Sequence, residues 1–153
     1  MAIYIGSDNM LRAVLTAAIR GALKEVIDRM FEELQKCITR DVYGSGFGGI
    51  ATGELINSWK HEAYGMFATL QFDPSMLPND PANWVHGSQY DARWADTRAL
   101  ILDIIQGGYR AYNAHTGMKV GRRPFWDNYV ALVDANYTDW VREALVHQGL
   151  DVI

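Results

Sequence analysis

Cysteine is nearly absent from this sequence: Cys37 is the single one among 153 residues. No intrachain disulfide can form, which excludes a secreted module held together by such staples. Positive charge is also in short supply. Fourteen Lys and Arg stand against 18 Asp and Glu, giving a formal net charge of −4 and a pI near 5.5. Proteins that grip nucleic acid through their surface need basic stripes to displace counterions from phosphates. The only close basic cluster is Lys119, Arg122 and Arg123, enough for a local contact to an acidic partner and too little for a DNA-binding face. Long apolar runs are missing as well, and none approaches the ~18 residues of a membrane-spanning helix. The opening Met1-Ala-Ile-Tyr-Ile-Gly-Ser-Asp8 has neither a basic head nor an extended apolar stretch. It does not read as a signal peptide, and folding in a cytosol is expected.

What remains has ordinary globular proportions, 49% apolar and 21% charged. A chain of this length hides roughly 68–70% of its unfolded surface, enough for one hydrophobic core. We expect a single domain over residues 1–153, with no internal repeat or low-complexity tract.

Ser7 or Asp8 can cap a helix beginning near Asn9. The series Leu11, Val14, Leu15, Ala18, Ile19, Ala22, Leu23, Val26, Ile27, Met30, Leu34, Cys37, Ile38 repeats at helical spacing, and Arg12, Arg20, Lys24, Asp28, Glu32, Gln35 and Lys36 fall largely opposite. Such a helix is roughly 45 Å long. Gly44-Ser-Gly-Phe-Gly-Gly49 then stops it. This glycine-rich loop lacks the Lys and Ser/Thr of a P-loop and follows no strand, so it is expected to be a connector. Met66, Ala68, Leu70 and Phe72 alternate with Phe67, Thr69 and Gln71, the period of a half-buried strand. With Trp59, His61 and Ala63 on the pairing strand, a β-hairpin is predicted at about 57–72, turning at Tyr64-Gly65.

Asp73 to Asp91 holds three of the four prolines (Pro74, Pro78, Pro81) and is predicted to be a long irregular excursion. Helical spacing returns from Ala92 to Ile105 and ends at Gly107-Gly108. A short hairpin around His115-Thr-Gly117 is expected within Tyr109 to Val120. Arg123-Pro-Phe-Trp-Asp127 opens a second long helix, with Pro124 in its first turn. Trp126, Tyr129, Val130, Val133, Tyr137, Trp140, Val141, Ala144 and Leu145 give that helix an apolar face, and Gly149 closes it. The fold class is α+β: a long N-terminal helix and a C-terminal helix packed on a small antiparallel β-sheet, with long loops.

Chemistry is hard to find in these residues. His61, His86, His115 and His147 are scattered and match no metal-ligand spacing. Cys37 lies on an apolar stripe with no base nearby, which suits a buried structural thiol better than a nucleophile. Glu54 with Asp103, or Asp73 with Asp80 and Asp91, are conceivable carboxylate groupings. The latter offers oxygens for calcium in the long loop, but its spacing matches no EF-hand. No catalytic, cofactor-binding or metal-ligating residue is expected. The aromatics say more: five Trp, eight Tyr and five Phe, with Tyr43, Phe47, Trp84, Tyr90, Tyr109, Tyr112 and Phe125 outside the clean stripes. Tyr and Trp are enriched at protein–protein interfaces. Candidate assembly residues are therefore Tyr43, Phe47, Trp84, Tyr90, Tyr109 and Tyr112, with Lys119, Arg122 and Arg123.

Three features in order carry a resemblance. A long amphipathic helix is followed by Thr52-Gly53-Glu54-Leu55-Ile56-Asn57-Ser58 leading into a hairpin, and then Gly107-Gly108 precedes Arg123-Pro124-Phe125-Trp126 at the start of the last helix. This layout resembles the tail-component (tail-completion, neck) family of siphophages and prophages typified by the lambdoid gene-ten product. Its members commonly show a T-G-x-L-x-x-S segment after the first helix and a P-F pair before the last. The family's aromatic-Glu-aromatic-Gly-Thr segment departs here to Leu102-Asp-Ile-Ile-Gln-Gly-Gly108, and the 73–95 excursion has no counterpart. Those departures keep a tail terminator or connector stopper in play. The resemblance implies a non-enzymatic virion protein, made in the host bacterial cytoplasm, that forms a homo-oligomeric ring, usually a hexamer, between the connector and the tail tube. DNA would at most pass through the lumen, and no membrane is involved. Thr52, Gly53, Leu55, Ser58, Pro124, Phe125 and Trp126 would hold structural roles. Readings of another class are a soluble adaptor or protein-binding module, or a small hydrolase.

Overall fold

Ser7 begins the first helix by two contacts. Its Oγ accepts from the Met10 N–H at 3.3 Å, and its carbonyl accepts from Leu11 N–H at 3.0 Å. Asp8 adds a negative charge beside the positive end of the helix dipole. The structure, a computed structural model, describes residues 6–44, 53–77, 101–107, 109–110, 119–120 and 122–150. In these, helix α1 spans Asp8–Ile38 and continues into a π-helical turn at Thr39–Tyr43. Gly44 N–H closes that turn on the Thr39 carbonyl at 2.8 Å. A Cβ on Gly44 would stand 2.7 Å from the Arg40 carbonyl oxygen, so the closure requires glycine there.

After α1 come the short helix α2 (Glu54–Asn57), strands β1 (Trp59–Tyr64) and β2 (Phe67–Phe72), and a 3-10 turn at Pro74–Met76. Helix α3 (Ile101–Gly107), strands β3 (Tyr109–Arg110) and β4 (Lys119–Val120), and helix α4 (Phe125–His147) complete the described elements. β1 pairs with β2, and β3 pairs antiparallel with β4 in the register Tyr109↔Val120 and Arg110↔Lys119. The architecture is α+β, dominated by two long helices. The helix predicted from Ala92 is described only over 101–107, and the tip of the hairpin predicted at His115 lies outside the described residues.

Contacts group the chain into two compact units. The first comprises Met1–Glu33, Lys60–Gln71 and Ala131–Ile153. Within it α1 and α4 run antiparallel. Ala22, Val26, Trp140 and Ala144 form the buried centre, and Met30, Leu132, Val133, Val141 and Leu145 pack around it. The two alanines let the helices approach, and Trp140 fills the space between them. The Arg29 guanidinium covers the Trp140 ring at 5.0 Å and pairs with Glu143 at 2.7 Å. The hairpin joins through its own contacts to α1. The Phe31 and His61 rings stack with centroids 4.2 Å apart, His61 Nε2 lies 3.2 Å from Asp28, and Arg20 Nε donates to the Gly65 carbonyl at 3.2 Å.

The hairpin turn is tighter than the alternation predicted. Gly65 and Met66 form it, so Met66 is a turn residue and not the first residue of β2. Gly65 alone has positive φ, +58°, the pattern of a turn that needs glycine at its first central position. The expected half-burial is also confined to part of the hairpin. Along β1, burial fades from the enclosed Trp59 to the exposed Tyr64, and Phe67 opens β2 in solvent. Strand alternation specifies two faces but does not specify that an element will cover either of them.

The second unit comprises Leu34–Trp59 and Phe72–Val130. Its buried residues include Leu34, Cys37, Ile38, Val42, Leu55, Trp59, Leu77, Phe125 and Tyr129. Here α3 and α4 cap one another. The Ile105 carbonyl accepts from Arg123 N–H at 3.0 Å and the Gln106 carbonyl from Arg122 Nε at 3.2 Å. Gln106 Oε1 in turn accepts from Trp126 N–H at 3.2 Å. Carbonyls orphaned at the end of one helix and an N–H orphaned at the start of the other are thereby satisfied. Pro124 stands one residue before α4 and not in its first turn. Its carbonyl accepts from Asn128 N–H at 3.0 Å.

α4 ends in a Schellman motif: Leu150 N–H bonds to Leu145 O at 3.0 Å and Gly149 N–H to Val146 O at 2.9 Å, with Gly149 at φ +84°.

Candidate assembly surface

Residues Gly53 to Ser58 build a compact joint. Gly53 takes φ +77°, the left-handed turn that starts α2, and Leu55 is buried. Ser58 is fully buried. Its Oγ donates to the Glu54 carbonyl at 2.7 Å, and its own carbonyl accepts from Asp73 N–H at 2.7 Å. That residue therefore fastens α2 to the chain leaving β2. Asp73 continues the joint by accepting from Ser75 N–H at 3.0 Å, which caps the following 3-10 turn. Phe125 is fully buried, while Trp126 is partly exposed and stacks on Trp59 of β1 with centroids 5.3 Å apart. Thr52 lies outside the described residues.

Around this aromatic group two polar atoms are enclosed without a hydrogen-bond partner, Trp59 Nε1 and the Tyr129 hydroxyl. Burial pushes the Tyr129 hydroxyl up to about 12, with the neighbouring Cys37 adding to the shift. Tyr43 is half-buried, and burial raises its hydroxyl too. Arg40 and Asp41 form a close pair at the π turn, and Asn128 Nδ2 donates to Asp41 at 2.9 Å. The Arg40 hydrogen bond, then the one from Asn128, holds the Asp41 carboxyl below its usual range despite its burial.

Of the other assembly candidates, Phe47, Trp84, Tyr90 and Tyr112 lie outside the described residues. Tyr109 and Lys119 sit on the short β3–β4 pair, one residue out of direct register. Arg122 is exposed and pairs with Asp127 at 2.6 Å, and Arg123 gives its main-chain N–H to α3. The basic cluster thus takes part in joining α3 to α4. Of the carboxylate groupings, Asp80 and Asp91 lie outside the described residues, as does the Asp103 side chain. Among the described residues, no three His, Cys, Asp or Glu stand together as metal ligands would. No helix among them is long and apolar enough to cross a membrane.

The most exposed apolar surface is one that sequence reasoning missed. α4 ends beside Gly21, where the Gln148 carboxamide lies over the glycine. α1 continues past this point towards its N-terminus through residues 8–20, roughly 20 Å of helix. Met10, Leu11 and Leu15 on this extension are exposed. Arg20 holds the hairpin turn beside the extension, and there Tyr64, Met66 and Phe67 are exposed too, Phe67 at 66%. The Tyr64 and Phe67 rings lie 6.3 Å apart, touching each other and little else. Leu11 and Leu15 belong to the same apolar stripe that is buried further along at Ala22 and Val26. The stripe shows that they face one way but not where the opposing helix stops. The clue available was length: the first apolar stripe outruns the last by more than a turn.

Comparison of the chain with protein-family models, with curated proteins and with solved structures finds no match.

Proposed function

We propose that this protein is a structural subunit of a tailed-phage virion, a tail-completion or head–tail joining protein that acts by forming a ring between the connector and the tail tube. The observation that carries this reading is the apolar end of the first unit, where six large apolar side chains of α1 and the hairpin stand exposed. Large apolar side chains exposed together in this way mark interaction sites on folded proteins. The order of motifs shared with the tail-component family supplies the biological setting. In that setting Gly53, Leu55, Ser58 and Phe125 serve the fold of each subunit, and the exposed end serves assembly. Tail termination and the connector stopper are the neighbouring assignments within the same class, and all three require self-association and a virion location.

The test is end-binding. Purified protein is mixed with tail tubes that lack their connector-proximal proteins and viewed by negative-stain electron microscopy. Added density confined to one tube end is expected. Tubes left unchanged, together with no binding to isolated connectors, would contradict the neck assignment. Firm binding to an unrelated soluble protein would then favour an adaptor.

A further inference from the structure

We infer that the ring contact is made by the α1 extension of one copy lying along the outer face of α4 in the next copy, with Arg12 meeting Asp134. This inference rests on the self-assembly reading above and names its partner surface. The donor side is the segment 8–20, with Leu11 and Leu15 exposed and the hairpin turn beside them. It carries Arg12 and Arg20 against Asp8 alone. Among the described residues Arg12 makes no side-chain hydrogen bond or ion pair, whereas Lys24, Arg29 and Arg142 are each paired, with Asp28, Glu143 and Asp139.

The acceptor side is the exposed surface of α4 around Tyr137. Tyr137 and Asp134 are exposed there, while the half-buried Val133 and Val141 pack against the core between α1 and α4. The charge on this stretch has the opposite sign: Asp134, Asp139 and Glu143 against Arg142. Asp139 and Glu143 are held by arginines of their own subunit, while Asp134 has no such partner among the described residues. The exposed leucines beside Arg12 therefore have a counterpart of opposite charge, the exposed Tyr137 beside Asp134.

The spacing agrees as well. Arg12 precedes Leu15 by three residues, and Asp134 precedes Tyr137 by three, so both pairs meet when the two helices run in the same direction. The two patches are different and lie on different parts of the subunit. A contact between them is heterologous, the kind that closes into a ring when the rotation per subunit divides the circle.

Charge reversal with rescue tests the contact. Association is measured by sedimentation velocity over a concentration series for the full chain and for Arg12→Asp, Asp134→Arg and the double variant. All sites are exposed, and circular dichroism verifies that each variant folds. Each single reversal is expected to weaken association about tenfold or more, and the double to recover to within about threefold of the parent. Leu11→Ser with Leu15→Ser is expected to abolish association in a folded subunit. A ring insensitive to either reversal would overturn this contact while leaving the ring reading intact. Single losses without recovery in the double would overturn it equally. A chain that stays monomeric at every concentration would overturn both.

Discussion

At the scale of single residues, Tyr129 combines two costs, an enclosed hydroxyl with no partner and a pKa pushed up to about 12. An unsatisfied buried hydroxyl costs about 1–3 kcal/mol relative to a satisfied one. Tyr129→Phe removes the hydroxyl and keeps the ring, so this variant is expected to be as stable as the parent or about 1 kcal/mol more stable in urea denaturation at neutral pH. The pH dependence has a definite sign. The native state keeps the proton longer than the unfolded chain, whose phenol titrates near 10. The folded protein's advantage is therefore whole below pH ~10 and is lost as pH rises towards 12. In Tyr129→Phe the stability loss between pH 10 and 12 is expected to be shallower, and one high-titrating phenol is expected to vanish from the ultraviolet titration.

Asp41 behaves in the opposite sense. Its carboxyl is held low by Arg40 and Asn128, so its contribution is present at pH above the ordinary carboxylate range. That contribution fades as pH falls through the lowered value. Asp41→Asn is expected to flatten the acid limb of stability against pH while lowering stability at neutrality. An unchanged acid limb would contradict the assigned pair.

Individual elements were readable from sequence to different depths. Both long helices were legible because thirteen apolar positions in one and nine in the other repeat at helical spacing. Gly149 was legible as a stop because its position demands a left-handed residue. The mutual capping of α3 and α4 was not, because Gln106 and Trp126 are far apart in the chain and nothing local marks them as partners. The exposed hairpin tip was misjudged for a similar reason: alternation sets which way Phe67 points, and only the surrounding elements decide what covers it.

Two glycines separate backbone need from simple proximity. Gly149 has φ +84°, and a side chain there strains the backbone by about 1 kcal/mol. Gly149→Ala is expected to lower the melting temperature. Gly21 lies inside α1, where a Cβ would meet only the end of the exposed Gln148 side chain, which can swing into solvent. Gly21→Ala is expected to raise the melting temperature, since alanine gains about 1 kcal/mol over glycine in a helix interior. A fall comparable to that of Gly149→Ala would mean that the Gln148 contact is fixed and not adjustable.

For the whole molecule, the proposed role is that of one subunit in a closed ring. In the proposed reading, the exposed apolar end and the Arg12 and Asp134 charges serve association. The rotation between neighbours sets how many subunits close the circle. The most direct measurement is the mass of the purified protein in solution by native mass spectrometry, across a range of concentrations and again in the presence of tail tubes. A discrete closed oligomer is expected, of about six subunits as the tail-component resemblance implies, or a monomer that becomes one at tube ends. A monomer at every concentration, indifferent to tubes, would contradict it.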